Sequence, residues 1–139
     1  MGSRRFVTIL ICVTTLAVVA GCASPTVHQM QSGDRTVGAD GEISVTSDSN
    51  GNDIVDVQVS HLPHPSRLDE QMSTYSVWLR PDGSNQRYNV GQIRLDDNQS
   101  GAVQFTTPFS SYSLKVTGEV DQRQETPSDQ IVLRYDVGS

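Results

Sequence analysis

From Glu42 onward, apolar and polar residues alternate with a period of two in short runs. Val55, Val57 and Val59 alternate with Asp56, Gln58 and Ser60, and Tyr75, Val77 and Leu79 alternate with Ser76 and Arg80. Successive side chains of a strand point to opposite faces, so each run predicts a β-strand with one buried and one wet face. The same period recurs at Ile43 and Val45, at Ile93 and Leu95, at Val103 and Phe105, through Tyr112, Leu114 and Val116, and from Ile131 to Val137, making seven expected strands. Ser49-Asn50-Gly51, Pro81-Asp82-Gly83, the stretch from Asp96 to Gly101 and Pro127-Ser128-Asp129 separate them with residues suited to turns. This spacing predicts an all-β domain over residues 42–139, an immunoglobulin-like antiparallel β-sandwich of about seven strands.

Two places break the pattern. Tyr88 and Val90 share one phase while Ile93 and Leu95 share the other, so a bulge or a strand break is expected near Gly91. Between strands, Ser66 followed by Asp69 resembles a capping box, with Leu68 and Met72 four apart, which predicts one or two helical turns after the proline-rich His61-Leu62-Pro63-His64-Pro65.

Ahead of the strands the pattern is different in kind. Arg4 and Arg5 precede an uncharged apolar run from Phe6 to Ala20, too short for a membrane span and closed by small residues. Val19-Ala20-Gly21-Cys22 resembles the lipobox of bacterial lipoprotein signal peptides. The resemblance implies that residues 1–21 are removed and that Cys22 carries a thioether-linked diacylglycerol and an amide-linked acyl chain such as palmitate. Residues 22–41 lack a sustained apolar period and are expected to form a flexible tether, with a reach of about 25 Å by random-coil scaling. The membrane is then a partner through acyl chains alone. Ala23, in place of the Asp that resembles an inner-membrane retention signal, implies an outer-membrane address facing the periplasm where the host has two membranes, and the outer face of the plasma membrane where it has one.

Charge and cysteine content narrow the function classes. The whole chain has a formal charge of −6, with 10 basic and 16 acidic residues, and losing Arg4 and Arg5 brings the expected mature chain to −8. Nucleic acid is an improbable partner for such a domain. Cys12 leaves with the signal segment and Cys22 is the expected lipidation site, which leaves no thiol for a disulfide, a nucleophile or a sulfur metal site.

Tyr75-Ser76-Val77-Trp78-Leu79, a strand through Gly91, an acidic turn ending at Gly101, Val116-Thr117-Gly118-Glu119 and Thr126-Pro127-Ser128 together resemble the extracytoplasmic C-terminal domain of anti-sigma-K-type factors. The resemblance spans roughly residues 52–138. It implies a small β-sandwich that senses or scaffolds outside the cytoplasm. The sigma-binding segment, zinc-type ligands and membrane span of that family have no counterpart here, so sigma-factor control is not implied.

Three constellations are candidates for chemistry. Asp48, Asn50, Asn52 and Asp56 place oxygens at alternate positions as a calcium loop does, although Asp53 and Val59 stand where an EF-hand requires Gly and Glu; the other reading is an acidic hairpin turn. His61 and His64, with Asp69 or Glu70, are a possible transition-metal set, and His28 lies far from them in sequence. Trp78, out of phase with Tyr75, Val77 and Leu79, is either an exposed contact for a ligand or partner or an indole covered by a crossing loop. The expected mature chain contains no nucleophile elbow, phosphate-cradling glycine loop or His-Glu-x-x-His motif. The expectation is a non-enzymatic envelope module for protein interaction, sensing or scaffolding, without a cofactor. Its alternative is a calcium- or glycan-binding lipoprotein.

Overall fold

Val55, Val57 and Val59 are all buried while Gln58 between them is exposed, so the alternation seen in the sequence is the one the strand adopts. The computed structural model describes residues 24–33, 36 and 38–137. Their strands are β1 (Thr26–Gln29), β2 (Gln31–Ser32), β3 (Asp40–Ser47), β4 (Asp53–Ser60), β5 (Thr74–Pro81), β6 (Tyr88–Ile93), β7 (Gly101–Thr107), β8 (Tyr112–Glu119) and β9 (Ile131–Val137). Two antiparallel sheets result, one ordered β1-β3-β4-β7 and the other β2-β9-β8-β5-β6. The chain changes sheets between β1 and β2, β2 and β3, β4 and β5, β6 and β7, and β7 and β8. This is the two-sheet, Greek-key arrangement expected of an immunoglobulin-like sandwich.

The apolar faces meet between the sheets. Ile43, Val55, Val57 and Val59 contribute from one side, and Tyr75, Val77, Leu79, Tyr112, Leu114, Val116 and Leu133 from the other, all 3% exposed or less. Two phenols anchor the ends of this layer. Tyr75 Oη donates to the carbonyl of Pro63 at 2.7 Å, and Tyr112 Oη donates to Asp53 Oδ2 at 3.3 Å. Burial raises the pKa of both, and the Asp53 charge raises that of Tyr112 further. A phenol whose folded pKa lies above its unfolded value contributes stability that is complete below the unfolded pKa of about 10 and is lost as pH rises through the folded value. Unfolding followed by circular dichroism should therefore show a stability plateau up to about pH 10 and a steep decline above it. Tyr75→Phe should flatten that decline.

Three sequence expectations need correction here. The stretch assigned to the tether, residues 22–41, holds structure from Thr26: β1 pairs with β3 and β2 pairs with β9, so the chain crosses from one sheet edge to the other at Met30. Thr36 and Ala39 are buried as well, and Thr36 Oγ1 donates to the Val132 carbonyl at 2.7 Å. Short, polar edge strands carry almost no apolar period, which is why the pattern is silent there. The Ser66 box does not form. The helical element is a single 3₁₀ turn over Pro65–Arg67 with His64 as its N-cap, because Pro65 fixes the first position and Ser66 lies inside the turn. Finally, Ile93 closes β6 and Leu95 lies beyond it, half-buried against the core.

The expected bulge is present. Val77 pairs with Gly91 but Trp78 pairs with Asn89, leaving Val90 as the extra residue. A Cβ on Gly91 would lie 2.4 Å from Val103 Cγ2 on β7, in the facing sheet, so glycine permits the close approach of β6 and β7. Gly91→Ala should lower stability by about 1 to 2 kcal/mol through this overlap. In a denaturation cycle, Gly91→Ala and Val103→Ala should be non-additive, the double variant losing less than the sum of the two single losses.

Candidate functional site

Trp78 sits on the outer face of β5 and yet is 2% exposed. The cover is the connection from Val120 to Gln130, which folds back over β5 and β8. Glu119, at the end of β8 and 1% exposed, holds it in place. Its Oε1 accepts from Trp78 Nε1 at 3.2 Å, from the Ser128 backbone N–H at 3.0 Å and from Thr117 Oγ1. Ser128 Oγ donates to the Gly118 carbonyl at 2.6 Å, and Gln92 Nε2 donates to the Gln122 carbonyl at 3.1 Å. A carboxylate accepting several donors is a strong fastening in a low-dielectric setting. Glu119 Oε2 and Ser76 Oγ are buried without a hydrogen-bond partner among the described residues. Beside Trp78, the cleft bounded by Arg80, Arg87, Lys115 and Pro127 has a volume of only about 10 Å³, the room of a single water. Trp78 is therefore a packing residue under a clamped loop, and its reading as an exposed ligand contact does not hold.

The calcium candidates do not come together. Asp48 Oδ1 accepts from the N–H groups of Asn50 and Asn52 at 2.8 and 2.9 Å, and its Oδ2 accepts from Asn52 Nδ2 at 2.9 Å. The Asn52 side chain and backbone bonds lower the Asp48 pKa. Its oxygens are already committed to the β3–β4 hairpin turn. Asp56 lies three residues into β4 past Asp53, about 10 Å along at the strand rise, and accepts from Gln58 Nε2 at 3.0 Å. The acidic turn is thus a turn. His61 and His64 also stand apart from one another in role: His61 Nδ1 lies 3.0 Å from Asp40 Oδ2, and His64 Nδ1 lies 3.0 Å from Ser66 Oγ. His28 packs against Tyr135 in a tilted arrangement, with ring centroids 5.2 Å apart. Among the described residues no group of three or more His, Cys, Asp or Glu is placed to hold a metal. Cys22 lies outside the described residues.

What the sequence did not reveal is the distribution of charge over the two outer faces. On the five-stranded sheet, Lys115 pairs directly with Arg134, Trp78 pairs with Lys115, and Arg80 pairs with Ser113, so Arg80, Lys115 and Arg134 share the outward side with Asp136. Arg87 lines the same cleft. The four-stranded sheet carries Glu42 and Asp56 outward as diagonal neighbours, with Asp40 at its end, and none of the outward positions of β1, β3, β4 or β7 is Lys or Arg. An open groove of about 480 Å³ crosses that face over Gln29, Glu42 and Gln58 to Asp96 and Ser100. Among the described residues the one carboxylate within 4.0 Å of a basic side chain is that of Asp40, beside His61, so Arg80, Arg87, Lys115 and Arg134 have none. A domain of net negative charge therefore places four of its cations on one side. Neither a known protein family nor a characterised protein matches the sequence.

Proposed function

We propose that this chain is a lipid-anchored, non-enzymatic interaction module of the bacterial cell envelope. Removal of residues 1–21 leaves an acylated Cys22, and the β-sandwich contacts a protein partner through its outer faces. The observation that carries the reading is the division of charge between the two sheets: one face presents Arg80, Arg87, Lys115 and Arg134 with no carboxylate within 4.0 Å among the described residues, and the other carries Asp40, Glu42 and Asp56 among uncharged residues and no cation. Broad faces of opposite charge favour recognition of another macromolecule's surface, and the groove of the acidic face stays open to solvent rather than enclosing a ligand. The motifs of residues 52–138 resemble an extracytoplasmic anti-sigma-K-type domain, which implies the same class of role, sensing or scaffolding, without its sigma-factor function, although no known family matches the chain.

The test begins with the anchor. Intact mass spectrometry of membrane-extracted protein should give a chain starting at Cys22 with added diacylglycerol and acyl mass, and Cys22→Ser should move the protein out of the membrane fraction. An unprocessed, unmodified mass would overturn the proposal. Cross-linking in intact cells should then recover a reproducible envelope protein, and recovery of none would remove the interaction role.

A further inference from the structure

We propose that copies of this chain anchored on one membrane associate side by side, the basic face of the five-stranded sheet of one copy against the acidic face of the four-stranded sheet of the next. The inference rests on the lipid-anchor reading above and adds a partner to it. Thr26 pairs with Val45, close to the β3–β4 hairpin, so β1 begins at the end of the sandwich that also holds the β3–β4 turn and the β7–β8 connection. Cys22 precedes Thr26 by four residues, which span at most about 14 Å even when fully extended. With that end held at the bilayer, both sheet faces look sideways, toward neighbouring copies.

The faces fit each other in charge. Lys115 and Arg134 lie directly opposite on adjacent strands, an arrangement that is unfavourable between like charges unless a counter-charge is supplied. Asp136 shares their face, but no carboxylate lies within 4.0 Å of either cation among the described residues. Glu42 and Asp56 offer such counter-charges on a face free of Lys and Arg. Arg and Lys presented in this way recognise carboxylates with modest strength, each exposed pair contributing no more than about 1 kcal/mol. Association in dilute solution is consequently weak. Confinement to a membrane raises the effective concentration and drives it. Because the contact joins two different faces, it propagates into rows rather than closing as a dimer.

Lys115 is the single lysine of the chain, which makes a zero-length carbodiimide a position-specific probe. Equal amounts of ¹⁴N- and ¹⁵N-labelled full chain are placed on phosphatidylcholine vesicles, cross-linked and digested. The expected product is a mixed-isotope peptide joining Lys115 to Glu42 or Asp56. It should fall at least about fivefold in 0.5 M salt, where screening is nearly complete within 5 Å, and vanish in the Glu42→Gln/Asp56→Asn variant. Mixing Arg134→Glu chains with Asp56→Arg chains should restore a salt-sensitive contact that neither has alone. Links confined to one chain, or mixed links unaffected by neutralising Glu42 and Asp56, would overturn the lateral contact. Vesicle flotation is read first: chain that fails to float counts against the anchor, and the Cys22→Ser chain, cross-linked in solution at millimolar concentration, then decides the contact by the same criteria.

Discussion

Glu119→Ala is expected to lower the stability of the domain by about 3 kcal/mol and to release the Val120 to Gln130 connection from the sheet. Alanine removes the acceptor shared by Trp78 Nε1, the Ser128 N–H and Thr117 Oγ1, leaving at least two donors orphaned in a buried site. An unsatisfied buried donor costs about 1 to 3 kcal/mol, offset in part because the carboxylate no longer has to be kept out of water. Glu119→Gln keeps an oxygen at the same place and should lose about 1 kcal/mol. Trp78 is the one tryptophan, so its emission reports on the cover directly. The expected result is a red-shifted, quencher-accessible indole in Glu119→Ala at temperatures where circular dichroism still shows a folded sandwich. An unshifted emission spectrum in that variant would mean that Glu119 does not fasten the connection.

This clamp illustrates where pattern reading stops. Trp78 stands out in the sequence because it breaks the apolar phase of its strand, and that signal alone leaves open whether it faces a ligand or a loop. Its acceptor lies 41 positions away, at a strand end where a glutamate ordinarily faces water. The available clue was that a buried indole N–H demands a partner. Six of the strands from β3 to β9 were legible because each presents an aliphatic or aromatic face at period two, whereas β6 was placed only through Ile93, because the bulge interrupts its period. The bulge at Gly91 was legible for the same reason, as a change of phase within a strand. The charged faces were not legible: Lys115 and Arg134 are 19 positions apart, and their direct opposition follows from a register that itself slips between Val116 and Thr117. Membership of a face is a property of pairing, and pairing is decided by the core.

Met30→Asp should lower stability by about 4 kcal/mol or more, whereas the same substitution in a true tether would leave it unchanged. Met30 is 8% exposed and occupies the crossing from β1 to β2. Its N–H donates to the Gly41 carbonyl at 2.7 Å, and its side chain closes with Leu133 over Gly41, where even an added Cβ would lie 2.9 Å from Met30 Sδ and from Leu133 Cδ1. Truncation to alanine removes the packing alone, at about 2 kcal/mol, and aspartate adds a carboxylate to an apolar contact. The effect should spread beyond the substitution. With β1 and β2 displaced, the outer edges of β3 and β9 lose their cover, so amide exchange should accelerate at Ile43 and Val45 and at Arg134 while the β5–β8 pair keeps its protection. Urea titrations of Met30→Ala and Met30→Asp beside wild type decide the matter. Coincident midpoints for all three would return residues 24–33 to the tether and lengthen the distance between the membrane and the charged faces.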